Sequence, residues 1–287
     1  MISPTTAELL HILKSMPICS EEFNYRLGRL KVAEKKKGSA INTISDAYYT
    51  LAHEIMCFPF LSLFGNIRVS EDHNGEAGCD YLLNDKYQIE CVCSTPGTTD
   101  NGMKELCQHD GKLFDYGKKQ EILYTRLTSS IRSKLQFYQG HISNGTLHPD
   151  KPYIIFLGLG ALATEMFCES EGFAFLGFLL GKGNPTLSIN AKTGKLQNTG
   201  YSFRQWIHNH NNAEIDANIF CAKDYQCISG VIISSAVLGE TYTPENTWLF
   251  INPFAKQKIV KKDFWGIHYW AVNKDMSYSA KCKGRSL

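Results

Sequence analysis

Helical spacing of apolar residues dominates the first sixty positions. After the capping run Thr5-Thr6-Ala7-Glu8, Leu9, Leu10 and Leu13 recur as one helix face, and Pro17 separates this helix from a second over residues 20–37. A further helical segment spans 40–64, with Ile44, Ala47, Tyr48, Leu51, Ile55 and Phe58 three and four residues apart, and Gly65-Asn66 ends it. The pattern then changes. Residues 67–69, 81–83 and 87–93 are short apolar runs, the last rich in Val, Ile and Tyr as suits a pleated surface, and Asn84-Asp85 is turn chemistry between the last two. Residues 94–120, rich in Thr, Gly, Asp and Lys, predict a long loop or irregular insertion.

Helical spacing returns over 125–141, where Leu127, Ile131, Leu135 and Tyr138 share a stripe. Residues 151–158 are a continuous apolar run of the kind that forms a strand buried on both faces. Residues 158–200 are Gly-rich and less regular, 201–212 predict a short helix, 226–235 another buried strand, and 248–251 the last strand before the Asn252-Pro253 break. The stretch after Trp270 is polar and basic, and is expected to be loosely held. Together these elements predict an α/β protein, a mixed β-sheet flanked by helices. The expected organisation is an N-terminal helical segment at 1–39, one α/β domain at 40–270 with insertions at 94–120 and 158–200, and a polar tail at 271–287. If the chain has two domains, the boundary falls in the Gly-rich 158–200 region.

Composition narrows the classes. The 287 residues, 43% of them hydrophobic, supply a sizeable core, and a net charge of +2 carries no global signal for tight non-specific nucleic-acid binding. Local basic patches are still allowed. Arg26, Arg29, Lys31, Lys35, Lys36 and Lys37 cluster at the end of the second helix, where a solvated face is the simplest account and a nucleic-acid contact the alternative. Ten cysteines are scattered through apolar segments with neither zinc spacing nor a disulfide framework, which favours a reducing, cytoplasmic setting. The apolar run 173–180 is too short to span a membrane, so no membrane partner is expected. The abundance of Lys, Asn, Ile and Tyr fits an AT-rich bacterial genome.

The chemistry concentrates in the expected hairpin. Asp80 stands at the mouth of its first strand and Glu90 lies inside its second, so antiparallel pairing brings two carboxylates within reach of one metal ion. Hard oxygen ligands on adjacent strands suit Mg²⁺ or Mn²⁺, and such an ion can activate water against a phosphodiester.

With these residues in place, the arrangement resembles the PD-(D/E)xK nuclease superfamily, the fold of many restriction endonucleases. Its core is a helix, three antiparallel strands, a helix and a further strand. The resemblance covers roughly residues 40–160 and, more weakly, 226–256. It implies a restriction endonuclease-like fold and a metal-dependent DNA endonuclease, with Asp80 and Glu90 holding Mg²⁺ or Mn²⁺ and Glu54 as an additional acid on the first core helix. Cys79 stands in place of the family's proline. The family's lysine, which orients the attacking water and stabilises developing charge, is replaced by Val92. Some members use a residue that has migrated, and Lys134 on the following helix is the first candidate here, with Arg132 or Lys86 behind it. Other members have lost activity, so the alternative is a catalytically degenerate protein of this fold that binds nucleic acid or a protein partner. Members that cut duplex DNA are often dimers, which makes a homodimer an expectation.

Other motifs carry less. His208 and His210 would share a face only on a strand, and no third ligand stands nearby in the sequence, so a polar surface loop is expected. Gly158-Leu159-Gly160 opens like a dinucleotide fingerprint, but Ala163 occupies the third glycine's place, and tight packing after a strand explains it better. Trp248, Trp265, Tyr269 and Trp270 read first as core or rim aromatics and only secondarily as base-stacking residues.

Overall fold

The computed structural model describes residues 6–35, 46–69, 78–94, 116–159, 162, 175–208, 213–234, 236, 240–272 and 278–281. The chain divides into two compact units. One is formed by residues 1–95, 130–165 and 226–287, the other by 96–129 and 166–225.

The first unit opens with three helices: α1 (Thr6–Ser15), α2 (Ser20–Lys35) and α3 (Asp46–Leu61). On α1, Leu9 and Leu13 point inward together. The break at Pro17 falls where the apolar spacing placed it. α3 has too many apolar residues to be amphipathic. Tyr48, Leu51, Ala52, Ile55, Cys57, Phe60 and Leu61 are all buried, so it forms a core helix. Two polar residues, His53 and Glu54, are buried with them.

Strands β1 (Ile67–Val69), β2 (Tyr81–Leu83) and β3 (Tyr87–Cys93) follow. β1 pairs antiparallel with β2, and β2 antiparallel with β3. Asn84 and Asp85, both at positive φ (54° and 52°), turn the chain between β2 and β3. Left-handed central residues match the natural twist of paired strands, and Asn and Asp tolerate them. The Asn84 side chain also accepts from the Asn66 N–H at 2.9 Å and donates to the Phe64 carbonyl at 3.1 Å, tying the turn to the end of α3.

Helix α4 (Tyr116–Ser143) leads to β4 (Tyr153–Gly158), which lies parallel to β3. The sheet continues through β9 (Ile228–Ser234), β10 (Thr247–Ile251), β11 (His268–Val272) and β12 (Tyr278–Lys281), giving eight strands in the order β1-β2-β3-β4-β9-β10-β11-β12. It is mixed: β3/β4, β4/β9 and β10/β11 run parallel and the remaining pairs antiparallel.

Alternation sorts its faces. Tyr87, Ile89, Cys91, Cys93, Ile154 and Phe156 join the core beneath α1 and α3. Glu90 and Tyr153 project the other way and meet Lys134 and Tyr138 of α4.

In the second unit, α4 contributes its first half. Beside it lie the short helix α5 (Leu176–Leu179), the hairpin β5 (Lys182–Ile189) and β6 (Leu196–Phe203), and the pair β7 (Trp206–His208) and β8 (Glu214–Asp216). The Tyr124 and Phe178 rings meet at a tilt with centres 5.7 Å apart, and a Cβ at Gly177 would lie 2.2 Å from the Tyr124 hydroxyl oxygen, so glycine allows this approach.

The structure corrects four expectations. α4 begins at Tyr116 rather than near 125, taking the last residues of the expected 94–120 loop into the helix; residues 95–115 lie outside the described set. Within 158–200 a regular hairpin forms. No helix forms over 201–208. Tyr201-Ser202-Phe203 alternates at period two, and cross-strand pairing decides in favour of a strand; residues 209–212 are outside the described set. Finally, β10 is not the last strand. β11 and β12 follow it, so residues 271–272 and 278–281 of the expected tail belong to the sheet. Residues 36–45, 273–277 and 282–287 lie outside the description.

Candidate active site

The hairpin, α2, α3 and the second half of α4 converge on one cavity of the first unit. It is about 200 Å³ in volume, and Arg26, Glu54, Asp80, Glu90 and Lys134 are among the residues that line it. Every acid singled out in the sequence is here, together with the lysine on α4. These residues lie up to 108 positions apart in the chain, and the pairing of β2 with β3, the packing of α3 on β3 and the approach of α4 bring them together.

Asp80 precedes β2, and its Oδ2 accepts a 2.6 Å hydrogen bond from the Cys91 N–H. That bond fixes the carboxylate against the strand that carries Glu90. Glu90 is 3% exposed. Its Oε1 accepts from Lys134 Nζ at 2.5 Å, while Oε2 is buried and has no partner. Lys134 Nζ also lies 5.3 Å from the centre of the Phe137 ring, which lines the cavity too. Glu54 is held differently. Its Oε1 takes an ion pair from Arg26, whose Nε bonds Glu22 Oε1 at 2.5 Å, and its Oε2 lies 3.8 Å from Arg29.

The electrostatics follow from crowding acids in a dry place. Burial pushes the Asp80 carboxyl up to about 6, and the negative charge of Glu54 adds to this; Lys134, the Cys91 N–H and Arg26 only partly offset it. Burial raises Glu90 well above the usual carboxylate range, and Asp80 raises it further. For Lys134, burial opposes the charge, but Glu90 and Asp80 outweigh it and hold the ammonium protonated. Carboxylates in such a state have unmet demand for positive charge.

Asp80 and Glu90 are the residues that could hold a hard divalent cation. Asp80 and Glu90 offer carboxylate oxygens, one of them an orphaned buried acceptor, and leaving such an atom unsatisfied costs about 1–3 kcal/mol or more. Glu54 lies in the same cavity but is engaged by two arginines. Among the described residues, the set of three metal-capable side chains with ligand atoms within 4.8 Å of one another is His53, Cys57 and Cys91. Its geometry is that of packing. His53 Nε2 meets the Phe156 carbonyl at 2.9 Å and Nδ1 the Tyr242 hydroxyl at 2.7 Å, so both nitrogens are occupied. Cys57 Sγ lies 3.6 and 3.8 Å from the two nitrogens, nearly equidistant and so off the in-plane axis of either. Gly158 gives the ring its space, since a Cβ there would stand 2.5 Å from Nδ1.

Two parts of the site were not legible beforehand. The sequence pattern places Arg26 on a solvated basic face, yet it is 2% exposed. The signal was present: Glu22, Arg26, Leu30 and Ala33 follow helical spacing, and the first two form an i, i+4 pair on the stripe that the others bury. The His53-Cys57-Cys91 cluster joins an i, i+4 pair on α3 to a strand residue, and only the α3–β3 packing closes it.

The other sequence candidates lie elsewhere. Lys86 pairs with Asp263 at 2.6 Å and is not among the cavity's lining residues, and Arg132 is not either. His208 is exposed on β7, and His210 is outside the described set, as are Gly160 and Ala163. Trp248 and Trp270 are buried, whereas Trp265 is 67% exposed.

Comparison of the chain with protein families, with curated proteins and with solved structures finds no match. Among the described residues, no helix is long and apolar enough to cross a membrane.

Proposed function

We propose that this protein is a metal-dependent DNA endonuclease of the PD-(D/E)xK kind, with its lysine moved from the strand to the following helix. One observation carries the reading: Lys134 bonds Glu90 beside Asp80, leaving a buried Glu90 oxygen unpartnered. The order of elements supports it. A core helix, three antiparallel strands, a helix and a parallel fourth strand are all present, as α3, β1–β3, α4 and β4.

Asp80 and Glu90 would hold Mg²⁺ or Mn²⁺, which when bound supplies an activated water and neutralises charge on the scissile phosphate. The protein's own residues do the rest. The Cys91 N–H holds Asp80 in place. Lys134 supplies the positive charge that Val92 cannot, beside the point where negative charge develops. Arg26 holds Glu54 in place. Among the described residues the cysteines form no disulfide, which suits a reducing compartment. Cleavage of both strands of a duplex would call for two copies of the site, as in a homodimer.

The test is titration of Mn²⁺ and Mg²⁺ into the wild-type chain and the Asp80→Ala/Glu90→Ala variant, with cleavage of plasmid and single-stranded DNA scored in parallel. Metal binding and cleavage that both disappear in the variant support the nuclease. Cleavage that survives in the variant refutes it.

A second reading rests on Arg26 and Arg29. They neutralise Glu54 from within, as expected of a degenerate member that keeps the fold as a binding scaffold. Such a protein binds neither cation and cuts nothing.

A further inference from the structure

The hairpin β5–β6 of the second unit has a surface that neither the acid cavity nor the core explains. It forms a two-stranded sheet of its own. Leu187, Ile189, Leu196, Tyr201 and Phe203 are 68%, 58%, 58%, 48% and 61% exposed. The register gathers them. Ile189 stands opposite Leu196, and Leu187 opposite Thr199, two residues from Tyr201 and four from Phe203. Cross-strand partners and i, i+2 neighbours share a face, and the register shift between Ser188 and Ile189 carries Leu196 over to the face of Thr199 and Tyr201, so these side chains form one apolar face. Lys182 Nζ lies 3.7 Å from the centre of the Tyr201 ring. Between residues 182 and 206 the charged residues are Lys182, Lys192, Lys195 and Arg204, with no Asp or Glu, and Asn184, Asn190, Gln197, Asn198 and Gln205 supply amides.

From this surface we infer that the β5–β6 hairpin is a binding platform for single-stranded nucleic acid, with Tyr201 and Phe203 stacking on unpaired bases and Lys192 and Lys195 at the turn contacting phosphates. Exposed aromatics beside cations are how sheets hold single strands. The other partners that fit a basic, apolar face meet specific obstacles here. Bilayer insertion would bury two open strand edges, whose unpaired backbone groups cost several kcal/mol each. Face-to-face docking of a second copy would bring the same cations together without an acid from either hairpin. A duplex keeps its base faces stacked away from the rings. The inference stands independently of the catalytic reading, since it requires binding and no cleavage.

The experiment uses the full chain in EDTA and follows fluorescence anisotropy of a labelled mixed-sequence single-stranded DNA. The same DNA as a duplex, anionic phospholipid vesicles and light-scattering mass are measured alongside. Tyr201→Ala/Phe203→Ala is expected to weaken single-strand binding by about tenfold or more. Lys192→Gln/Lys195→Gln, at an exposed turn where the fold is not at stake, is expected to weaken it and to lower the salt slope by about 0.7 for each phosphate that the lysines no longer neutralise. EDTA withdraws any cation from the acid site, so binding by the hairpin is read apart from cleavage. Unchanged single-strand affinity in both hairpin variants overturns the inference. So does preferential binding of the duplex or of vesicles that depends on Tyr201 and Phe203, or a dimer that these substitutions dissolve.

Discussion

Replacing Lys134 by methionine probes the site most directly, because it removes the charge and keeps the length of the side chain. Lys134 and Glu90 have side-chain exposures of 22% and 4% and meet at 2.5 Å. Breaking a buried pair by removing one partner typically costs about 3–5 kcal/mol, because the remaining charge is stranded. Glu90 has an escape. Burial and Asp80 already raise its carboxyl well above the usual range, and without Lys134 it takes up a proton more readily still.

The sign follows from linkage. Between the unfolded and the folded value of a raised acid, the native state binds more protons than the unfolded one, so stability falls as pH rises through that window. The destabilisation by Lys134→Met is therefore expected to be small at mildly acidic pH, where Glu90 takes up a proton, and to grow toward the limit of about 3–5 kcal/mol at mildly alkaline pH. Urea unfolding in EDTA at the two pH values measures it, and equal stability of variant and wild type at the higher pH refutes the ion pair. Metal binding supplies the functional half. Removing a cation from beside Asp80 and Glu90 leaves Mn²⁺ affinity equal or higher, while cleavage is lost. A lysine with only a structural role would not separate the two, and a variant that cleaves at the wild-type rate removes Lys134 from the mechanism.

Asp80→Asn is expected to stabilise the metal-free protein above about pH 6, by at most about 3 kcal/mol, and to leave it unchanged below about pH 4, which paired denaturation curves read directly. In the wild type, stabilisation by Mn²⁺ is correspondingly expected to grow as pH rises through about 6, because protons and metal compete for the same carboxylate, and a flat dependence of the Mn²⁺-induced Tm shift counts against metal binding at Asp80. Arg26→Met removes the buried cation between Glu22 and Glu54 and is expected to destabilise by about 3–5 kcal/mol, with part recovered by adding Glu54→Gln, as a double-mutant cycle in urea would show. Lys86→Ala breaks an ion pair that is open to solvent, so its effect is expected to stay below about 1 kcal/mol with cleavage unchanged; loss of cleavage there would move the catalytic cation from Lys134 to Lys86.

Local patterns carried much of this protein. The breaks at Pro17 and Gly65, the Asn84-Asp85 turn, the strands at 81–83 and 87–93 and the buried run ending at Gly158 were all legible, because each depends on a few neighbouring residues and their periodicity. So was the pair Asp80 and Glu90, since a tight turn leaves little freedom in how its strands align. The segments that misled lacked a decisive local signal. Residues 201–203 and 268–272 become strands because a partner strand completes their hydrogen bonds, which no helical or polar bias in their own sequence reports.

The charges at the site were settled only by tertiary packing. Arg26, Lys86 and Lys134 are all cations on or beside elements near the acids, and as a sequence they are interchangeable. In the fold, α2 buries Arg26 against Glu22 and Glu54, Asp263 draws Lys86 away, and α4 lays Lys134 onto Glu90. The residue types, and therefore the chemistry on offer, belong to the sequence. Which carboxylate each cation neutralises depends on distance and dielectric between residues far apart in the chain, and those exist only once the helices have packed on the sheet.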